Sequence, residues 1–516
     1  MSVFQKYYGM IPLIFICAFF AWKAIDFPIH DFTNYYFGGY FLAQDTFNYL
    51  TYYPYHFNKA IAELGYQHLF GSYAPNTPFL ALFFYPFSFL KLTTAKLIFN
   101  GMSILLFLFG VMRLVLFYNI KPVYLILLPI LFFIPIKNNL LFGQVYFLLF
   151  FLLSESWLAY EKKQFKTMAI FLGFAILLKV FPVLLVLLFL FKKEFKPLLF
   201  TVLFCGILTA ITIAFTGLEI WLFYFKTVLS KASDGEIATA FVDNYQSVFM
   251  FLKRMLVADV VENPNAIIVI PQLFPALLLG FKVALLAIGF YISRKTSDSM
   301  LVISYWILAM LLLSPYGSTY TFILLIFPYL AMAKSDLSNV KKIGFAIGLV
   351  VLMNLPLAIF KDWIFPFSFF RLLIFGFGFI GFLTLLYQKI NWKIVGTLAL
   401  VAISLMGFKD YSPTNSTYFL EKNSPILIYD YTITNQQLTY FYWNEKGENH
   451  TTIPIEYIEI VEPEIIQNQI HYNGKLITND NSNKKKPIII NHKTLLYLSD
   501  FDRGIGFYTL RKRYIH

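Results

Sequence analysis

The sequence predicts an all-α polytopic membrane protein followed by a small C-terminal β-rich domain. Three observations predict it. Of 516 residues, 59% are hydrophobic and only 13% are charged, against about 25% charged residues in soluble domains. Apolar runs recur as far as residue 408, many approaching the roughly 20 residues that a helix needs to cross a bilayer. After Gly407 those runs stop, and Asn, Thr, Lys and Glu take their place.

The runs lie near 9–26, 77–93, 97–118, 122–136, 140–160, 167–192, 197–216, 267–292, 299–314, 319–333, 343–360, 367–388 and 393–408. They amount to roughly 11–13 transmembrane helices. The first is followed by Trp22-Lys23-Ala24-Ile25-Asp26 rather than a small-residue cleavage site, and reads as a retained anchor. Basic clusters at Lys91/Lys96, Lys162/Lys163/Lys166, Lys192/Lys193/Lys196, Arg294/Lys295, Lys334/Lys341/Lys342 and Lys389/Lys393 flank the runs. The positive-inside rule places them in the cytoplasm. Short basic loops account for the net charge of +13 without a nucleic-acid partner. The run 122–136 carries Pro122, Pro129 and Pro135 and reads as re-entrant or bent. The run 167–192 has basic residues at both ends and Lys179-Val180-Phe181-Pro182 in its middle. A hairpin of two short helices meeting there keeps both ends on one side, with Pro182 as the breaker.

With that parity, residues 27–76, the loop 217–265 and the turn 314–320 fall on the outer side. The first is Tyr-rich and amphipathic, as suits helices lying along the interface. The transmembrane domain is expected over 1–408 and an extracytoplasmic β-rich domain over 409–516. In the latter, Ile426–Tyr431 and Pro487–Ile490 read as strands, and 481–486 as a polar loop. Ile470–Ile477 reads as a hairpin, because Asn473-Gly474 suits a type I′ turn.

Ionisable groups inside membrane segments are costly and point to function. Lys179 has no carboxylate near it in sequence. It is either a snorkelling lysine or the partner of an anion such as a lipid-linked phosphate. Asp31, just past the first run, is either a base for a substrate hydroxyl or the N-cap of the following helix. Asn138, Asn139 and Gln144 put amides at an outer turn, fit for sugar hydroxyls or for a plain helix start. Asn244, Gln246 and Ser247, followed by Arg254, are similar, and an arginine there can clamp phosphate or simply end a helix. Arg371 and Lys282 carry little weight, Lys282 as a snorkelling or cavity-lining residue. Cys17 and Cys205 lie in apolar runs and suggest no metal site. Phosphate-loop, zinc-binding and nucleophile-elbow motifs are absent, which argues against soluble nucleotide chemistry.

The order of these features resembles glycosyltransferase family 87, within the polytopic GT-C group. Asp31, Tyr36, Gly38 and Gly39 match its first outer loop, and Tyr73-Ala74-Pro75-Asn76-Thr77-Pro78 its next Tyr/Pro element. Gly143-Gln144, Lys179-x-x-Pro182, the set Asn244, Gln246, Ser247 and Arg254, and Ser314-Pro315 follow in order. The family often carries a histidine after Ser-Pro, where Tyr320 stands here. The resemblance covers residues 1 to about 400 and leaves the β-rich domain unassigned.

It implies an inverting membrane glycosyltransferase with its active site on the outer, periplasmic face of the inner membrane. A hexose, mannose by preference, would pass from a polyprenyl-phosphate sugar donor to a lipid or glycan acceptor. Asp31 would be the general base. Lys179 and Arg254 would hold the donor phosphate. Tyr35, Tyr36, Tyr73, Gln144, Asn244, Gln246 and Tyr320 would contact substrates. Neither a metal nor a cofactor is called for. A transporter or flippase of lipid-linked saccharide shares the dozen spans and the midplane cation, but has no need of a base on the first outer loop. A structural assembly protein would leave the ionisable groups near the outer turns without a purpose.

Overall fold

The computed structural model describes residues 3–236, 238–242, 244–406, 416–420, 425–444, 446–457 and 459–515. The expected domain boundary at 408/409 lies outside these residues.

Among the described residues, four helices are long and apolar enough to cross a membrane: Leu92–Phe117, Phe195–Thr216, Leu273–Lys295 and Phe367–Thr384. Pro122–Leu131 and Phe133–Phe142, bent by 61° at their junction, make a fifth if taken as one span. Seven shorter apolar helices accompany them among the described residues. Large apolar side chains such as Phe15, Leu105, Leu400 and Phe377 point outward. That is the arrangement expected where lipid, rather than water, covers the surface.

Two corrections to the expected topology follow from contacts between helix ends. The first concerns 77–93, which does not cross. Its helix Pro78–Phe84 and the 3₁₀ turn Tyr85–Phe89 stay beside the helix Phe32–Ala43, with the Phe84 ring stacked on Tyr35 at 5.3 Å. Lys96 consequently stands at the Asp31 end of the molecule, its ammonium donating to the Phe27 carbonyl at 3.4 Å. The helix Leu92–Phe117 leads away from that end, and Tyr118 after it reaches Ser299 and Trp157 at the other. The second concerns 122–142, which crosses instead of re-entering. Pro122 lies against Gly9 near the start of the first helix, while Phe142 lies against Phe27 and His30 beyond its end. The two corrections cancel in the count of crossings.

The run 167–192 forms two short helices, Phe165–Leu178 and Leu184–Lys192, separated at Lys179-Val180. Tyr160 packs on both Phe165 and Phe189, donates to Glu194 at 2.6 Å and accepts from Lys192 at 3.0 Å. The start of one helix and the end of the other therefore sit together. This is the expected hairpin, with Lys179 at its tip.

Gly38 and Gly39 let the helix Phe32–Ala43 approach its neighbours. A Cβ on Gly38 would stand 2.3 Å from the Tyr73 ring, and one on Gly39 2.6 Å from the Phe84 backbone.

The C-terminal region is β-structured. Its five-stranded antiparallel sheet runs, in spatial order, Thr417–Tyr418, Thr509–Tyr514, Thr494–Ser499, Lys484–Ile490 and Ile460–Val461. Three-stranded sheets of Leu427–Thr434, Gln437–Asn444 and Gly447–Pro454, and of Glu464–Ile466, Gln469–Tyr472 and Lys475–Leu476, accompany it. The Asn473-Gly474 hairpin is present, with φ of 48° and 73° at its two turn residues. The expected loop 481–486 gives way to strand at Lys484. The buried Lys484 ammonium is held by the carbonyls of Asn468, Asp480 and Ser482 and by the Asp480 carboxylate, which turns a polar stretch into sheet interior.

Candidate active site

Segments from across the chain enclose one cavity of about 670 Å³ at the Asp31 end of the helices. Its walls come from the first loop (Asp31, Asn34, Tyr35, Ser72, Asn76), the hairpin tip (Lys179–Phe181) and the loop after residue 217 (Tyr224, Lys231, Glu236, Tyr245). Lys282 and the turn Ser314–Tyr320 complete it, together with Gly504, Ile505 and Phe507 of the C-terminal region.

Asp31 precedes the helix Phe32–Ala43 but its side chain makes no capping hydrogen bond. The carboxylate instead accepts a short hydrogen bond from the Gln144 amide nitrogen. The Gln144 amide oxygen in turn accepts from the Tyr35 hydroxyl at 2.7 Å, which fixes which way the amide points. Burial raises the Asp31 carboxyl above its ordinary value, while the Gln144 hydrogen bond and the charges of Lys179 and His30 pull it partly back. Burial and the Asp31 charge raise the Tyr35 phenol well above its ordinary value, which keeps it a neutral donor.

Gln144 owes its place to Gly143. The helix Phe133–Phe142 ends there in a left-handed cap at φ 70°, a conformation that costs a residue with a Cβ about 1–2 kcal/mol. A Cβ on Gly143 would also stand 2.8 Å from Phe32. Gly143→Ala should thus lower the thermal midpoint of the purified protein and swing Gln144 off Asp31. A variant as stable as wild type would show that the cap is not what holds the amide.

Lys179 sits where the hairpin breaks. Its ammonium donates to the Asn76 side-chain oxygen at 3.1 Å and stands 5.4 and 5.9 Å from the Tyr35 and Tyr146 rings. Tyr35 thus links both functional groups, bonded to Asp31 through Gln144 and facing Lys179 through its ring. The tip is tied to the first loop by the Thr77 hydroxyl, which donates to the Leu177 carbonyl. Tyr320 lines the cavity beside Tyr146, with ring centroids 5.2 Å apart.

Five of the expected site residues do not join this group. Tyr36 donates to the Leu90 carbonyl and Tyr73 to the Thr77 carbonyl, both as buried packing residues. Gln246 is buried, donating to the Ser368 carbonyl, and its backbone lies against Gly317. Asn244 is exposed. Arg254 lies on the helix Val248–Leu256 with its guanidinium over the Phe241 ring at 5.7 Å, away from the cavity lining. Lys282, on the helix Leu273–Lys295, does reach the cavity.

Sequence reasoning passed over Asn76, Tyr245 and Tyr316, although each lies inside a motif that drew attention for its neighbours. Lys231 and Glu236 carried no sequence signal. No cluster of three or more His, Cys, Asp or Glu side chains able to hold a metal occurs among the described residues.

Apolar helices around a polar cavity near one membrane end, with a carboxylate and an ammonium sharing an aromatic neighbour, are the frame of a membrane enzyme. Residues 75–315 match the family model of glycosyltransferase family 87, the family that the motif order resembles, and the match indicates a membrane glycosyltransferase. The matched stretch contains Gln144, Lys179 and the loop 217–265, and begins after Asp31 and Tyr35. No curated protein and no solved structure matches the chain.

Proposed function

We propose that the enzyme moves a hexose, mannose by preference, from a polyprenyl-phosphate donor to a lipid or glycan acceptor on the outer face of the membrane. The observation that carries this reading is the pairing of Asp31 and Lys179 around Tyr35 in one cavity. An acceptor hydroxyl is a poor nucleophile until its proton is taken, and Asp31 is the base that takes it. The new bond forms between acceptor oxygen and sugar C1 on the face opposite the departing phosphate oxygen. The C1–O bond to phosphate breaks with its electron pair, the configuration at C1 inverts, and polyprenyl phosphate leaves. Lys179 stands where that phosphate gains negative charge, and a fixed cation there stabilises the transition state more than the ground state. Lys282, rather than Arg254, supplies a second cation. Its place in the cavity wall supports that role. Tyr35, Gln144 and Tyr320 position the substrates.

The test is purified protein in lipid vesicles given radiolabelled polyprenyl-phosphate mannose and a glycolipid extract of the outer leaflet. Label should move into the extract in the α/β configuration opposite to that of the donor. Retention of configuration would eliminate the single displacement, and no transfer from any polyprenyl-phosphate hexose would eliminate the donor class.

A further inference from the structure

The loop after Ser499 belongs to the C-terminal β-region, yet it reaches the cavity wall. Asp500 is fully buried and organises it, accepting from the Asn483 backbone and side-chain nitrogens at 2.7 Å and from the Gly506 nitrogen at 2.9 Å. The loop is clamped onto the segment 217–265 by three ionic contacts. These are Lys231–Asp500 at 3.2 Å, Lys253–Asp502 at 2.6 Å and Arg503–Glu262; within the segment, Lys231 also bonds Glu236 at 2.6 Å. Below, Gly506 at φ 73° fits against the Tyr53 ring, and farther out Tyr55 stacks on Tyr429 with centroids 3.9 Å apart. So many ties hold Gly504, Ile505 and Phe507 as a fixed part of the wall.

This end of the cavity shares its lining with Asp31, with Tyr245 and Tyr316 in the same wall. Burial, helped by the Asp31 charge, raises the Tyr245 phenol to about 12, and the Tyr245 ring lies 5.6 Å from that of Tyr316. Tyr316 in turn donates to the Ala232 carbonyl, next to Lys231. The chemistry here differs from that around Lys179. Lys231 is already neutralised by two carboxylates, so it offers no free charge to a phosphate. Phe70, Tyr316 and Phe507 offer ring surface, and Glu236 offers a carboxylate acceptor, the Lys231 donors being taken by Glu236 and by the Asp500 and Arg503 carbonyls. Ring faces for C–H surface beside a carboxylate that accepts from hydroxyls suit an uncharged sugar. Around Lys179 the wall is a hairpin of apolar helices, which suits a polyprenyl chain, whereas this end is built from loops and sheet.

We propose that the C-terminal loop Asp500–Phe507 completes a subsite for a neutral saccharide, the terminal sugar of the acceptor. The β-region is then the specificity element of the enzyme and the acceptor a glycan or glycolipid. The identification of the bound sugar as the acceptor rests on the transfer reading above; the subsite itself does not.

Full-length protein in nanodiscs is tested by saturation-transfer NMR with mannobiose, maltose and chitobiose at millimolar concentration. At least one should bind wild type and Asp31→Asn alike. Ile505→Trp, which fills the wall, should weaken that binding by at least about tenfold, and Phe507→Leu, a milder change, should weaken it less. In transfer assays both should raise the acceptor KM and leave the donor KM unchanged. Wild type binding none of the three, or Ile505→Trp binding like wild type, overturns the subsite. Saccharide binding without transfer from any polyprenyl-phosphate hexose leaves the subsite standing and removes the transfer reading instead.

Discussion

Asp31→Asn should cut kcat by about 10²–10⁴-fold, the usual worth of a positioned general base. The substitution is nearly isosteric. The side-chain oxygen of the introduced asparagine still accepts from the Gln144 amide, and the Tyr35–Gln144 bond is untouched. Folding should survive for the same reason that the wild-type carboxylate needs no capping role: the helix Phe32–Ala43 makes no hydrogen bond to it. Donor affinity should hold or rise, since removing the Asp31 charge leaves the Lys179 ammonium freer for phosphate. The pH profile gives an independent check. The base works only when ionised, so kcat/KM should climb with pH through the Asp31 pKa and level off above it. Because burial raises that pKa, the climb should come above the aspartate range of about 3.9. The variant should show a low, flat acid limb. An Asp31→Asn enzyme that keeps the wild-type limb, or keeps full activity, would take the base assignment away.

What the sequence makes legible here follows the range of the forces involved. The hairpin at Lys179-Val180-Phe181-Pro182 and the Asn473-Gly474 turn are local matters, set by a proline that breaks a helix and by two residues that accept positive φ. Charge patterning counts crossings and not their positions, as Lys96 at the Asp31 end illustrates. A stretch like Pro78–Phe89 is apolar enough to span and too short to do so, and only its packing on Phe32–Ala43 reveals that it stays at one end. Gly143 and Gln144 read as a motif, while the reason for the motif, an amide held between Tyr35 and Asp31, needs residues separated by more than a hundred positions. Arg254 illustrates the opposite failure. An arginine after an Asn/Gln/Ser element fits phosphate chemistry on paper, but its helix turns the guanidinium onto Phe241 and gives the cavity wall to Lys282. The approach of the C-terminal region to the cavity is not legible at all. Its loop meets the cavity through ion pairs such as Lys253–Asp502 that no local pattern announces.

Lys179→Met should weaken donor binding by about 10–100-fold, the value of a hydrogen bond to a charged group in a secluded site. It should lower kcat as well, because charge grows on the phosphate as the sugar leaves. The surroundings explain why this lysine, and not a surface one, is suited to the task. Its ammonium donates to a neutral amide oxygen of Asn76 and faces two aromatic rings, and these partners hold it in place without cancelling its charge. An ammonium has three donors, so capacity remains for a ligand. Methionine keeps the length and apolar stem while removing the charge, which separates loss of charge from loss of packing. Lys179→Arg should restore only part of the affinity, since the planar guanidinium cannot occupy the place of a compact ammonium between Tyr35 and Tyr146. Polyprenyl phosphate without sugar is the decisive probe. It should compete with donor in wild type and lose affinity in Lys179→Met by the same factor as the sugar-bearing donor, because the contact is to phosphate alone. A Lys179→Met enzyme that binds polyprenyl phosphate as wild type does would place the phosphate elsewhere, with Lys282 next in line. A factor seen for the donor but not for the sugar-free lipid would assign Lys179 to the sugar.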